Sequence, residues 1–210
     1  MEVPLGQGWQ RLCRSVYYGR VIKGEQTRAK LIGAARTLVE EKGYHGTALN
    51  EVLALAGAPR GSLYHHFPGG KDQLVGEALT AAGQEVDELL AGVARTAAGA
   101  RALVPAVLAA LADRMQAADY AKGCPVATVA LEVAASEGEL QALCGEIYAG
   151  WEGVLAEALR AEGREPAEAE ELAATVLALI EGSLVLARAH RSRVPVERVT
   201  RRIDLLLGRG

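Results

Sequence analysis

One short run gathers the side chains best able to do chemistry: Ala58-Pro59-Arg60-Gly61-Ser62-Leu63-Tyr64-His65-His66-Phe67. Arg60 can grip a guanine edge with two parallel hydrogen bonds, or reach a phosphate. Ser62 can donate to either. Tyr64, His65 and His66 put three hydrogen-bonding tips within one helical turn, and Gly61 removes a side chain where close approach is needed. Leu63 and Phe67 are four residues apart, so on a helix they share a face and anchor the run from behind. A short helix with a polar front and an apolar back fits the major groove of B-DNA, where each base pair shows a distinct donor and acceptor pattern. Metal binding by His65 and His66 is the competing reading, but the only other histidines are His45 and His190. Gly69-Gly70-Lys71 lacks the spacing of a phosphate loop, because His65 stands where the first glycine belongs and Asp72 follows the lysine. The chain has no H-E-x-x-H and no G-x-S-x-G. No catalytic residue, cofactor or metal is expected, and the chain reads as not an enzyme.

The elements that must position this run are legible upstream. Ile32, Ala35, Arg36 and Val39 recur at helical spacing, as do Leu31, Ala34 and Leu38, and Gly43 stops that helix. Thr47 suits the N-cap of a second helix over 48–56. Gly57 breaks it, and Pro59 opens a third, over 59–66. Three short helices with a tight glycine turn before the last make a helix-turn-helix pattern. The chain has 210 residues, half hydrophobic and only 4% aromatic, with 39 alanines. That composition favours helix over strand and predicts an all-α protein. Further helices are expected over 71–94, 101–119, 124–135, 137–162, 166–190 and 195–207.

The domain reading is a flexible N-terminal extension over 1–24, a DNA-binding head over 25–70 and a C-terminal body over 71–210. Net charge is −3, but residues 1–72 carry +4 and the rest −7. A basic head on an acidic body fits an anionic partner for the head alone, or a chance excess. No apolar run approaches the ~18 residues of a membrane span. The N-terminus lacks the apolar core of a signal peptide, and three sparse cysteines make no framework, so the chain reads as cytoplasmic.

In the body, Met115, Tyr120, Tyr148 and Trp151 are rare large side chains that suit either a ligand pocket or plain packing. Glu132 and Glu181 fall within apolar helical stretches. A buried carboxylate needs a partner, so either could hold a cationic or hydroxylated ligand; an exposed place on the helix rim fits equally. Cys124 joins these pocket candidates. It or Cys144 would sense redox state if a nearby positive charge lowered its pKa, and inert buried thiols fit the same sequence. Leu172, Val176, Leu179, Ile180, Ser183, Leu184 and Ala187 form a wide stripe with small residues that suits the chain's own core.

Residues 27–79 resemble the DNA-binding domain of TetR-family transcriptional regulators. The resemblance runs through Ile32-Gly33-Ala34-Ala35, Gly43-Tyr44-His45-Gly46-Thr47, Ala56-Gly57, Gly61 to Phe67 and Lys71-Asp72-Gln73-Leu74. Phe67-Pro68-Gly69-Gly70-Lys71 is similar to the LmrA and YxaF branch, as is Gly123-Cys124-Pro125-Val126 followed by Ala130-Leu131-Glu132. The resemblance implies a C-terminal ligand-binding and dimerisation domain, with the last two helices, over 166–207, and the Leu172–Ala187 stripe as the dimer interface rather than the chain's own core. It implies a homodimer that binds a palindromic double-stranded DNA operator, usually as a repressor, and leaves it when a small-molecule inducer binds. By position, Thr47 would cap the second helix and touch phosphate. Arg60, Ser62, Tyr64, His65 and His66 would lie at the DNA surface, and Lys71 would reach phosphate from the start of the fourth helix. Ala58 and Pro59 stand where the family often has Val and Ser, so proline replaces a capping or phosphate-binding side chain. A helical interaction module without sequence-specific DNA binding is the alternative.

Overall fold

Glycine and proline punctuate an otherwise helix-forming chain, and the helices begin and end beside them. The computed structural model describes the backbone of residues 7–208 except 96, 98, 136 and 137, and the side chains from residue 24 onward. Among the described residues the fold is all-α: α1 Gln7–Gly46, α2 Leu49–Ala56, α3 Arg60–His66, α4 Gly70–Ala94, α5 Ala100–Ala117, α6 Pro125–Val133, α7 Glu139–Ala161, α8 Pro166–His190 and α9 Val194–Leu207. The helix expected to begin at Glu25 has a helical backbone from Gln7. Gly8, Gly19 and Gly24 lie within it; each interior glycine costs only about 1 kcal/mol, and no proline interrupts that span. The arginines of the N-terminal extension lie outside the described side chains.

Two apolar clusters organise the molecule. The head buries Leu31, Ala35, Leu38, Val52, Leu63, Phe67 and Leu74 together. The body core contains Leu103, Leu108, Val126, Trp151, Leu159, Val176 and Ile203, but also Val39 of α1 and Val75 and Leu79 of α4. Successive residues of α4 therefore serve different cores, Leu74 and Ala78 the head, Val75 and Leu79 the body.

The end of α1 makes the second link between head and body. Gly43 adopts φ 74° and ψ −171°, a conformation essentially restricted to glycine, and it breaks the helical ladder. A helix end leaves carbonyls without intrahelical partners, and here distant groups supply them. Val39 accepts from the Thr128 hydroxyl at 3.2 Å, Glu40 from the Gly123 N–H at 3.2 Å and Glu41 from the Arg188 guanidinium at 2.7 Å. A Cβ on Gly43 would overlap the Glu132 carboxylate. Gly43→Ala is expected to lower stability by about 1–3 kcal/mol, from backbone strain and displaced Glu132. Urea unfolding monitored by circular dichroism measures this, and an unchanged midpoint would show that the turn relaxes without strain.

In the body, α8 packs between α7 and α9. By length and composition alone α8 could cross a membrane, contrary to the sequence expectation. From Leu172 to Ala187 its only charged residue is Glu181, and alanines extend its hydropathy beyond the short aliphatic run. The stripe identified in the sequence faces inward: Val176, Ile180, Ser183, Leu184 and Ala187 are buried. A different face points out, carrying Ala178, Gly182, Val185, Leu186 and Ala189.

Candidate DNA interface and ligand cavity

The turn before α3 is built on Gly57, left-handed at φ 61° and ψ 32°, with the Ala58 N–H donating to the Leu53 carbonyl at 3.0 Å. The left-handed turn ends α2 and redirects the chain into α3. Pro59 sits just before the helix, at φ −70°, and its carbonyl accepts both the Ser62 N–H at 3.0 Å and the Ser62 hydroxyl at 2.6 Å. Ser62 therefore braces the first turn, and its oxygen keeps accepting capacity.

Leu63 and Phe67 are buried and fix α3 to the head. Its other face is free: Arg60, Gly61, Tyr64 and His65 are exposed, Tyr64 at 65%. Apart from its chain neighbours and its own helix backbone, no described heavy atom lies within 4 Å of where a Gly61 Cβ would sit. His66 is half-buried, with its ring edge-on to His65 at 4.9 Å. Burial lowers the His66 pKa, aided by the positive charges of His65 and Arg28. Lys71 lies in the first turn of α4, its ammonium 4.4 Å from the centre of the Tyr44 ring. The Tyr44 hydroxyl donates to Asp72. That bond, then burial, pushes the Tyr44 pKa up to about 12.

Thr47 departs from its expected role. It is fully buried and donates its hydroxyl to the Gly43 carbonyl at 2.7 Å. The residue preceding α2 is Ala48, with no side-chain cap. The break at Gly43 exposes a carbonyl that the nearby Thr47 hydroxyl satisfies, so Thr47 closes the turn from inside the fold. Its hydroxyl is not on the surface with Arg60 and Tyr64.

A second site lies in the body. A mainly apolar cavity, about 960 Å³ with its open mouth included, is enclosed by α1, α4, α5, the α5–α6 turn, α7 and α8. Met115, Cys124, Trp151 and Glu181 line it, beside Leu90, Val107, Leu155 and Ile180. The other three pocket candidates are not in the lining, though Tyr148 borders it, where burial and the nearby charges of Glu181 and Cys124 raise its pKa. Tyr148 packs its ring edge-on against Trp151, at 5.6 Å, outside the lining. Tyr120 forms the left-handed turn after α5 at φ 56° and packs on the body core. Glu132 accepts the His45 backbone N–H at 2.6 Å, linking body to head.

The sequence reading missed the charged mouth. Arg36 and Glu40 of α1 line it with Arg114 and Lys122 of the body. Glu40 is only 4% exposed and receives Arg36 at 3.0 Å, Lys122 at 3.2 Å and Arg114 at 3.8 Å. Arg36 also pairs with Glu85; that hydrogen bond raises the Arg36 pKa and lowers that of Glu85. The available signal was an arginine and a glutamate four apart on an otherwise apolar helix face. Deeper in, burial pushes Glu181 up to about 7, despite a hydrogen bond from Cys124 that acts the other way. The Cys124 thiol goes well above its ordinary value, through burial and the nearby Glu181, and burial raises Cys144. Neither has the lowered pKa that a thiolate redox sensor needs.

The chain is similar to known proteins over both its head and its body. Residues 31–78 match the family described as "Bacterial regulatory proteins, tetR family". Residues 100–202 match "Transcriptional regulator LmrA/YxaF-like, C-terminal domain". An uncharacterised HTH-type transcriptional regulator of Mycobacterium tuberculosis is 34% identical over 185 residues, 86% of this chain and 93% of the relative. The HTH-type transcriptional regulator LmrA of Bacillus subtilis is 33% identical over 183 residues, 87% of this chain and 97% of LmrA. A TetR transcriptional regulator of Chloroflexus aurantiacus, known as a crystal structure, superposes with a TM-score of 0.77 at 25% identity, covering 89% of this chain and 96% of that one.

Proposed function

This chain belongs to the TetR family of DNA-binding transcriptional regulators, with an LmrA/YxaF-like C-terminal domain, and on that premise we propose that it is a repressor released from DNA by a small molecule. It works as a homodimer on a palindromic operator, in the cytoplasm. The observation that carries the reading is the two-sidedness of α3: Leu63 and Phe67 buried, Arg60, Tyr64 and His65 facing out. Ser62, His66 and Lys71 flank that surface, and Gly61 admits the DNA backbone or a base edge. Dimerisation uses the outward strip of α8, where Val185 and Leu186 are 53% and 50% exposed. Two α3 helices then enter successive major grooves, about 34–36 Å apart.

The inducer occupies the body cavity. Its mouth contains Arg36 and Glu40 of α1, so occupancy and head position are physically linked. Inducer must favour the state that does not fit DNA, and DNA must weaken inducer binding by the same factor.

Fluorescence anisotropy with DNA upstream of the chain's own gene tests this, at two salt concentrations and against a scrambled duplex. Tight binding that falls steeply with salt is expected. Arg60→Ala and Tyr64→Ala should each weaken it by about 1–3 kcal/mol, roughly 5- to 150-fold. Unchanged affinity in both variants would show that α3 is not the reading surface. Absence of binding even at low salt would favour a helical interaction module.

A further inference from the structure

We propose that the body cavity selects a mostly apolar, ring-sized molecule whose polar end donates a hydrogen bond to Glu181. This deepens the inducer reading and rests on it. Among the described residues, Glu181 Oε2 is the only buried side-chain nitrogen or oxygen without a hydrogen-bond partner. A carboxyl oxygen kept from water and left without a donor is unfavourable, even with the Cys124 thiol on the same group, so a bound group that supplies the donor gains more here than at a hydrated site. Glu181 lines the cavity, so that unmet oxygen belongs to a residue of the cavity wall.

The other polar groups of the wall are already committed. The Trp151 indole N–H donates to Asp87 at 3.1 Å. The Cys124 thiol faces Glu181 itself. At the mouth, Glu40 is saturated by Arg36, Lys122 and Arg114. With Glu181 the lining therefore offers apolar surface from Trp151, Leu155 and Ile180 and one unmet acceptor, and Tyr148, behind the lining, has its pKa raised by burial and by the nearby Glu181 charge. An amine or a hydroxyl supplies the same donor chemistry. Burial already holds Glu181 near neutrality, so a cationic amine would displace its proton while a hydroxyl would not need to.

Three probes of one shape separate these possibilities: 4-methylbiphenyl, 4-phenylbenzyl alcohol and 4-phenylbenzylamine, titrated calorimetrically into the full chain. The alcohol or the amine is expected to bind at least about tenfold more tightly than the hydrocarbon. In Glu181→Leu that preference should shrink below about threefold. If leucine fills the space and excludes every probe, Glu181→Gln decides: its amide still accepts from the alcohol but has no charge for the amine, so the amine loses about tenfold against the alcohol. Hydrocarbon binding without a donor preference in the native chain, a preference that survives in Glu181→Leu, or an amine that loses nothing against the alcohol in Glu181→Gln overturns the Glu181 subsite and leaves the cavity as a ligand site. Failure of the native chain to take up any of the three overturns both.

Discussion

Replacing Phe67 by alanine should remove about 3–5 kcal/mol of stability, the range for deleting a fully buried aromatic ring. Phe67 is the only phenylalanine in the chain and has no exposed surface. It closes α3 through a 2.7 Å hydrogen bond from its N–H to the Leu63 carbonyl, and its ring joins α1, α3 and α4 in the head core. The Arg28 guanidinium lies 5.3 Å from the ring centre, adding a cation–π contact that alanine cannot make. Alanine would leave a ring-sized void in a core composed otherwise of aliphatic side chains, with little to collapse into it. Amide hydrogen exchange locates the damage and denaturant titration measures it. Protection should fall first in α2 and α3, while the Leu159 and Ile203 region of the body exchanges slowly. A loss below about 1 kcal/mol would mean that the ring is not the anchor of α3.

A second large effect is expected from pH. Glu181 has a folded pKa of about 7 against the ordinary 4.5, raised by burial. Below the unfolded value both states are protonated, and the group is neutral in its effect. Between the two values the unfolded chain releases a proton that the folded chain retains. Stability therefore falls as pH rises through this window and levels off above the folded pKa. The shift corresponds to about 3 kcal/mol as an order of magnitude. Glu181→Gln removes the titration, so the difference between native chain and variant should widen from pH 5 to pH 8 in favour of the variant. Other shifted groups, such as Glu85 and His66, are common to both chains and cancel. Parallel denaturant midpoints at pH 5, 6, 7 and 8 provide the test, and a constant difference would show that Glu181 ionises as if exposed.

The helix pattern was readable because its punctuation is local. Gly57, Gly99, Gly163, Pro125, Pro166 and Pro195 mark boundaries that the structure places within a residue or two. The two-sidedness of α3 was equally readable, since Leu63 and Phe67 share one face by spacing alone. What escaped depends on distant partners. Thr47 has the chemistry of a cap, but the break at Gly43 turns its hydroxyl inward. Glu132 has the chemistry of a ligand group, but packing brings it to the His45 N–H. The cavity mouth was hidden because Glu40 gains Arg114 and Lys122 only when α5 and the following turn fold against α1.

The carbonyls at the end of α1 have a consequence for modularity. A boundary at residue 70 looks like a place to cut and transplant, as if the reading head were an interchangeable cartridge. Yet Val39, Glu40 and Glu41 take their hydrogen-bond donors from Thr128, Gly123 and Arg188, three separate points of the body. A foreign head grafted onto this body would have to present the same kinked helix end to the same three donors. One joined at residue 70 without that end would leave the donors unmet and the graft loosely seated. The transplantable unit therefore includes the matching socket as well as the head, so if α3 reads the operator as proposed, specificity is exchanged more safely by rewriting its outward face than by swapping whole segments.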